Sequence, residues 1–174
     1  MTAAEPAGEY PVCLESWRQA QAPQLGRRKR YPFRLSPSDH QPRPFVFLKI
    51  TSYADPKRST VFPGLIDSGA HTSLAPRSLC DRLGIPLNGA PSCSPSSGID
   101  GRDVSAFAHS FTLGVYDEPA IDGRKVADFG PFTAGLQVLN SDFPYVLLGQ
   151  RDFLARFLFA QSSSQGWFEL QWNI

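Results

Sequence analysis

The sequence lacks the marks of several protein classes. Its 17 basic and 16 acidic residues give a net charge of only +1, whereas nucleic-acid-binding domains usually carry a strong basic excess. It has three cysteines, Cys13, Cys80 and Cys93, and no CxxC pair, which favours a reduced, intracellular protein over a disulfide-linked one. No apolar run approaches the ~20 residues that span a bilayer, and no signal peptide is evident. We therefore expect a soluble, cytoplasmic protein that binds neither nucleic acid nor membranes.

Several catalytic and binding motifs are missing as well. Ser68 is not a nucleophile elbow, because the G-x-S-x-G motif needs glycine where Ile66 and Ala70 stand. The histidines and cysteines have no metal-ligand spacing, and no phosphate-binding or dinucleotide-binding glycine pattern occurs. The Gly-x-x-Gly at 98–101 predicts only a turn by that test. We therefore expect no metal ion and no other cofactor.

Composition divides the chain into two parts. Hydrophobic residues make up 41% and charged residues 19% of the whole, a balance typical of a folded domain. Residues 1–44 hold seven of the sixteen prolines, and we interpret them as a Pro-rich, partly basic N-terminal arm or linker. Its basic run at 27–30 is expected to be a solvated cluster, and an acidic partner or a cleavage site are the alternatives. Residues 45–174 form the predicted domain.

The pattern of this second part predicts a mainly β fold. Apolar and alternating runs predict strands at 45–51, 60–66, 104–115, 135–139, 145–150 and 168–174, with a hairpin tip near 98–101. A short helix is predicted at 75–84, with Pro76 at its first helical position and Gly84 at its end. A second helix is predicted from about Gln150, because apolar residues recur there four apart.

Asp67 is the residue that this pattern leaves unexplained. It follows the apolar strand residues Leu65 and Ile66 and precedes the tripeptide Ser-Gly-Ala. A strand delivers the carboxylate into a turn, Gly69 permits close backbone approach, and backbone N–H groups in such a turn can hold an ionised carboxylate. The plain alternative is a turn aspartate that hydrogen-bonds its own backbone. These few residues alone leave both interpretations open.

Three motifs in the same order resemble the retroviral-type, or retropepsin-like, aspartic proteases. The catalytic loop of that family reads Asp-Ser/Thr-Gly-Ala, as at 67–70. Its flap tip often reads Gly-Ile-Gly-Gly, and this chain has Gly-Ile-Asp-Gly at 98–101, so that Asp100 replaces a glycine. An LLGRDFL-like string of the family is matched by LLGQRDFL at 147–154. The resemblance covers about residues 45–174.

The resemblance implies a single-domain, closed β-barrel with one or two short helices and an active site at the interface of a C2 homodimer. The chain has no second Asp-Ser/Thr-Gly, so the implied protein is a homodimeric aspartic endopeptidase that hydrolyses peptides or proteins with a water held between two aspartates. The terminal strand would join the dimer sheet. The implied site residues are Asp67, Ser68 and Gly69 for catalysis, and Ala70, Gly98, Ile99, Asp100 and Gly101 for substrate binding.

Two other hypotheses remain at this point. One is a catalytically inactive module of the same fold that binds peptides or regulates a partner, with the N-terminal arm lying in its cleft as a pro-segment. The other is an unrelated small β-barrel in which Asp67 is structural. Mass spectrometry of the purified protein over time tests the first, since an intact chain that is inert at every pH favours it, and the oligomeric state in solution tests the second.

Overall fold

The computed structural model describes residues 25–87, 91–97, 103–119 and 126–173, and these residues form a mainly β fold. The described part contains one α-helix, α1 (Arg77–Leu83), and a 3₁₀ helix (Leu154–Arg156). Its strands are β1 (Leu25–Pro32), β2 (Arg34–Leu35), β3 (Pro42–Arg43), β4 (Phe45–Ser52), β5 (Ser59–Ile66), β6 (Leu74–Ala75), β7 (Ser92–Ser97), β8 (Asp103–Tyr116), β9 (Phe129–Leu139), β10 (Val146–Leu148), β11 (Phe157–Ser162) and β12 (Trp167–Asn173). Neither helix in these ranges has the length and hydropathy that a membrane crossing requires.

Six of these strands close into a barrel, as the resemblance implies. Their order is β4-β5-β10-β6-β9-β8, and the pairing of β8 with β4 closes the ring. Most neighbours are antiparallel, but β10 runs parallel to β5 and β6 runs parallel to β9. Leu48, Ile50, Leu113 and Leu136 are buried and help to fill the interior. The apolar alternation along each long strand therefore gives the barrel its core.

The helix predicted at 75–84 is confirmed as α1, with one difference at its start. Pro76 caps the helix with an extended backbone (ψ 156°) and is not its first helical residue. Gly84 ends the helix with a φ of 60°, a conformation that glycine adopts readily. Leu79 and Leu83 are buried in the core, so the four-residue spacing correctly identified the face of α1 that packs on the barrel.

The second predicted helix is wrong beyond its first turn. The Leu154 N–H donates to the Gly149 carbonyl at 3.0 Å and a 3₁₀ turn follows, but β11 begins at Phe157. Phe153 and Phe157 do contact each other, with ring centroids 4.9 Å apart, so their four-residue spacing correctly predicted a side-chain contact. The backbone from Phe157 onwards pairs with β12 instead, because aromatic side chains pack well on a pleated surface.

The folded part begins earlier than the predicted boundary at residue 45. β1, which contains the basic run, pairs with β12, and β12 pairs with β11 in a separate three-stranded sheet. Tyr31 of β1 is 1% exposed and stacks on Phe168 of β12, with ring centroids 5.1 Å apart. The sequence concealed this strand because Tyr31 is the only buried residue among its described side chains. Residues 1–24 of the predicted arm lie outside the described residues.

Ion pairs within the chain engage the basic run. Arg28 Nε lies 2.7 Å from Glu169 Oε1, and Arg30 Nε lies 3.7 Å from Glu169 Oε2. Lys29 Nζ lies 3.4 Å from Asp128 Oδ1. Glu169 and Asp128 are both buried, so the basic side chains offset the cost of burying two carboxylates. The run therefore has a role within the fold and is not simply a solvated cluster.

β12 is half-buried as predicted, and it is the middle strand of its three-stranded sheet. Phe168 and Leu170 are fully buried. β1 lies on one side of β12 and β11 on the other, so both edges of β12 are paired within the chain. A strand with two neighbours offers no free edge to a strand of another chain. The expectation that this strand belongs to a dimer sheet stays a prediction, and a partner strand would have to pair beside β1 or β11.

Candidate active site

Asp67 lies where β5 ends and the chain turns. Its backbone N–H donates to the Leu148 carbonyl at 3.0 Å, so the end of β10 holds the start of the turn. The parallel register places Leu148 beside Ile66, the last residue of β5. The Ala70 N–H then donates to the Asp67 carbonyl at 3.2 Å and closes the turn. Asp67 is thus fixed between the ends of two neighbouring barrel strands.

The Asp67 carboxylate is held by the backbone of its own turn. The Gly69 N–H donates to Asp67 Oδ1 at 2.8 Å. A Cβ on Gly69 would stand 3.2 Å from the same oxygen, tighter than an ordinary contact, so glycine keeps this approach open. Asp67 is partly exposed, while Ser68 and Gly69 are exposed. The carboxylate is therefore fixed on one side and accessible on the other.

Gln150 holds the same turn from outside. Its side-chain Nε2 donates to the Ser68 carbonyl oxygen at 2.5 Å. The peptide group between Ser68 and Gly69 is consequently bonded at both ends, by Gln150 at its oxygen and by Asp67 at its nitrogen. The Gln150 N–H also donates to the Ala70 carbonyl at 2.9 Å. Gln150 therefore restrains both the orientation of this peptide and the position of the loop.

A buried polar network ties the following loop to the segment after β10. The Gly149 N–H donates to Ser73 Oγ, and the Ser73 N–H donates to Asp152 Oδ2, each at 2.9 Å. A Cβ on Gly149 would stand 2.5 Å from the backbone of Thr72, so only glycine fits there. The sequence analysis found the LLGQRDFL motif but missed these contacts; the available signal was the cluster of polar residues directly after a buried strand.

A depression of about 310 Å³ opens beside Asp67. It is lined by Phe33, Pro42, Arg43, Pro44, Leu65, Ile66, Asp67, Ser68, Phe159, Gln161 and Ser163. Arg43 brings a positive charge to this rim and forms a 2.5 Å ion pair with Asp39. A hydrogen bond from Arg43 lowers the pKa of Asp39 to about 2. Arg43 was missed in the sequence because it fell in the segment interpreted as a linker.

A small apolar cluster stands apart from the main core near Asp67. Its buried members are Phe45, Tyr145 and Leu147, and the partly exposed residues packed on them are Leu65, Ala70, Leu74 and Phe143. Ala70 belongs to the same turn as the carboxylate, so an apolar surface borders the site. Apolar walls beside a few polar groups are typical of ligand sites.

The structure describes only some of the predicted site residues. Asp67, Ser68, Gly69 and Ala70 lie together in the turn after β5. The predicted flap-tip residues 98–101 lie outside the described residues. The two strands that precede and follow them do pair antiparallel, with Ser92 opposite Phe107 and Ser97 opposite Asp103, so the predicted hairpin is present in β7 and β8.

Comparison with solved structures identifies the fold. The chain is similar to the crystal structure of a retropepsin-like aspartic protease from Rickettsia conorii, with a TM-score of 0.50 and 14% identity over 83% of this chain and 92% of that one. It is also similar to EIAV protease complexed with the inhibitor HBY-793, with a TM-score of 0.41 and 20% identity over 63% of this chain and 84% of that one. No protein-family model and no curated protein matches the sequence. The chain has a retropepsin-like fold.

Proposed function

We propose that the protein is an aspartic endopeptidase that acts as a homodimer through Asp67 of each subunit. The observation that carries the proposal is the Asp67 turn itself. On a retropepsin-like fold, a partly exposed carboxylate is held by the Gly69 N–H between the ends of β5 and β10. A structural turn aspartate would also accept the Gly69 bond, so the retropepsin-like fold and the partly exposed carboxylate are what favour a catalytic role.

The chemistry of peptide hydrolysis explains why two copies are needed. Attack by water requires one group that accepts a proton and a second that donates a hydrogen bond to the scissile carbonyl. Each chain contains a single Asp-Ser-Gly, so one chain supplies one such carboxyl group. Two carboxylates brought close together do not both ionise readily and therefore share one proton. A pair of Asp67 side chains thus supplies the base and the acid at once.

The proposed reaction uses no group beyond this pair and water. The ionised Asp67 takes a proton from the water, whose oxygen bonds to the scissile carbon, while the protonated Asp67 of the partner subunit donates to the carbonyl oxygen. The tetrahedral intermediate breaks down when the Asp67 that took the proton from water gives it to the amide nitrogen and the C–N bond cleaves, while one hydroxyl of the intermediate returns its proton to the Asp67 of the partner subunit. The pair then again holds one proton and titrates as a unit.

We propose further that the substrate is an extended peptide. The β7–β8 hairpin is the segment expected to bond to its backbone and to exclude water, and β7 is an edge strand of the barrel sheet. The apolar cluster around Tyr145 and Leu147 offers a surface for an apolar side chain near the cleaved bond. A charged or purely polar peptide would gain less from this surface.

The test is cleavage of an unfolded protein and of a peptide library by the purified chain, followed by mass spectrometry at several pH values. Asp67→Asn is expected to abolish cleavage while leaving the fold intact. The matched control is Asp81→Asn, because Asp81 is an exposed aspartate that pairs with Arg77 on α1. Undiminished cleavage by Asp67→Asn would contradict the proposal. Peptide binding without cleavage by the unaltered chain would instead favour the inactive binding module.

A further inference from the structure

A groove of about 460 Å³ opens on the outer face of the barrel, where β4 pairs with β8. It shares no lining residue with the depression beside Asp67. Lys49 of β4 lies opposite Gly114 of β8, and the side chains of opposed residues in antiparallel strands stand on the same face. Because Gly114 has no side chain, the space beside Lys49 stays open. A glycine in β8 thus forms the floor of the groove.

The groove combines apolar walls with one positive charge. Its apolar walls come from Tyr53, Pro56, Tyr116 and Pro131. In the described part of the chain, Lys49 is the only charged residue of the lining, and no other described side chain pairs with its ammonium group. Lys49 is also partly buried. A partly buried cation without a partner favours a ligand that brings a carboxylate.

Large apolar side chains are exposed at the same place. Tyr53 is 64% exposed, and Val126, which precedes the lining residue Ala127, is 80% exposed. Exposed apolar groups that lie together on a surface usually mark a site that another segment or molecule covers. The groove therefore fits an occupant that is apolar and carries a negative charge.

The first 24 residues of the chain have the composition that this groove needs. They contain three acidic residues and one basic residue, Arg18. Apolar side chains surround Glu15 in the run VCLESW at 12–17, which ends in Trp17. In an extended segment, side chains two positions apart point to the same side. Glu15 and Trp17 can therefore enter one groove together.

The same 24 residues join the described chain beside the groove. They continue into β1, where Arg27 Nη1 donates to the Ala127 carbonyl oxygen at 3.4 Å, and Ala127 lines the groove. Leu25, the first residue of β1, follows Glu15 by ten positions, and an extended chain of that length spans up to ~33 Å. Glu15 is therefore within reach of Lys49.

We propose that residues 12–17 bind in this groove of their own chain, with the Glu15 carboxylate paired to Lys49 and the Trp17 ring packed against Tyr53. Opposite charges fix the orientation of the segment, and the apolar contacts supply most of the binding free energy. Binding there holds the segment on the outer face of the barrel and keeps it out of the depression beside Asp67. The groove is thus a docking surface within the chain, and its occupation is independent of the hydrolysis proposed above.

The first test is disulfide trapping in the full chain, because Cys13 lies within the proposed binding run. Cys93 is replaced by serine, the groove residue Thr112 is replaced by cysteine, and the protein is oxidised mildly. A disulfide between Cys13 and the introduced cysteine is expected within one chain in most molecules. Ser163→Cys is the control, because Ser163 is an exposed residue that lines the depression beside Asp67. Peptide mapping by mass spectrometry without reductant identifies each disulfide.

A disulfide within one chain in Thr112→Cys, with little in Ser163→Cys, supports the proposal. A disulfide mainly in Ser163→Cys would place the segment in the depression beside Asp67 and would overturn it. A disulfide that links two chains through Thr112→Cys would show that the segment of a second copy occupies the groove, which overturns docking within one chain. The absence of a disulfide in both variants would overturn the proposal as well.

A second test exchanges the two charges of the proposed ion pair in the trapping variant. Lys49→Glu and Glu15→Lys are each expected to slow disulfide formation by about fivefold, as the loss of a partly exposed ion pair does. The variant that carries both changes restores opposite charges and is expected to regain the original rate. Lys57→Glu is the control, because Lys57 is exposed and follows the lining residue Pro56. Equal rates in all these proteins, or no recovery in the exchanged variant, would contradict the pairing of Glu15 with Lys49.

Discussion

Gln150 provides the sharpest test of how the Asp67 turn is held. Its Nε2 donates to the Ser68 carbonyl oxygen at 2.5 Å, and the N–H of the same peptide group donates to Asp67 Oδ1 at 2.8 Å. A bond to the oxygen polarises the peptide group and strengthens its N–H as a donor. Replacement of Gln150 by leucine keeps the volume but removes the donor. The Asp67 carboxylate then loses both orientation and part of its stabilisation.

The expected magnitude follows from one exposed hydrogen bond. Such a bond contributes about 1 kcal/mol net, so Gln150→Leu is expected to lower kcat by roughly 5- to 10-fold. KM is expected to change little, because Gln150 touches the turn and not the substrate. Gln165→Leu is the control, since Gln165 accepts a bond from the nearby Trp167 side chain. An unchanged kcat in Gln150→Leu would refute the two-ended restraint of the peptide.

Gln150→Glu adds a pH signature to the same test. A protonated glutamic acid can donate to the Ser68 carbonyl, whereas the ionised form places a negative charge against that oxygen. The activity of the variant relative to the unaltered protein is therefore expected to fall as pH rises through the ordinary glutamate range, about 4.3. A constant ratio across pH would show that Gln150 acts only by filling space.

The remaining predictions concern stability. Gly149→Ala puts a Cβ 2.5 Å from the Thr72 backbone, so denaturant titration is expected to show a loss of about 3 kcal/mol in the free energy of unfolding. The control Gly135→Ala is expected to change it little, because a Cβ on Gly135 would have no atom within 4 Å. Equal stability of the two variants would contradict the close approach at Gly149. Burial raises the pKa of Cys80 to about 11 from an ordinary 9.0, so the free energy of unfolding is expected to decline between pH 9 and pH 11 as the unfolded thiol ionises first. Cys80→Ala should remove that part of the decline.

The sequence predicted the parts of the fold that depend on local pattern. The start of α1 is marked by Pro76, its buried face by Leu79 and its end by Gly84, and the sequence predicted all three. The strand that delivers Asp67 was readable as well, because an apolar run ends there in a turn. Such elements follow from the spacing of a few neighbouring residues.

Other parts depend on contacts between distant residues and were not readable. The sequence predicts an arm at β1 because the segment is rich in proline and basic residues, and only its pairing with β12 and the ion pair with the buried Glu169 reveal a strand. The stretch after Gln150 has helical spacing, but the partner strand decides its conformation. The hydrogen bond from Gln150 to Ser68 joins residues 82 positions apart, so no local sequence pattern predicts it.

The central claim is that hydrolysis requires Asp67 from two chains, and subunit mixing measures it most directly. The unaltered chain is mixed with Asp67→Asn at a constant total concentration, the dimers are allowed to exchange, and peptide cleavage is recorded as the fraction of unaltered chain varies. If only dimers with two Asp67 residues act, the rate follows the square of that fraction and an equal mixture retains about a quarter of the activity. A rate that falls linearly, with about half of the activity in the equal mixture, would show that each chain acts alone and would contradict the account.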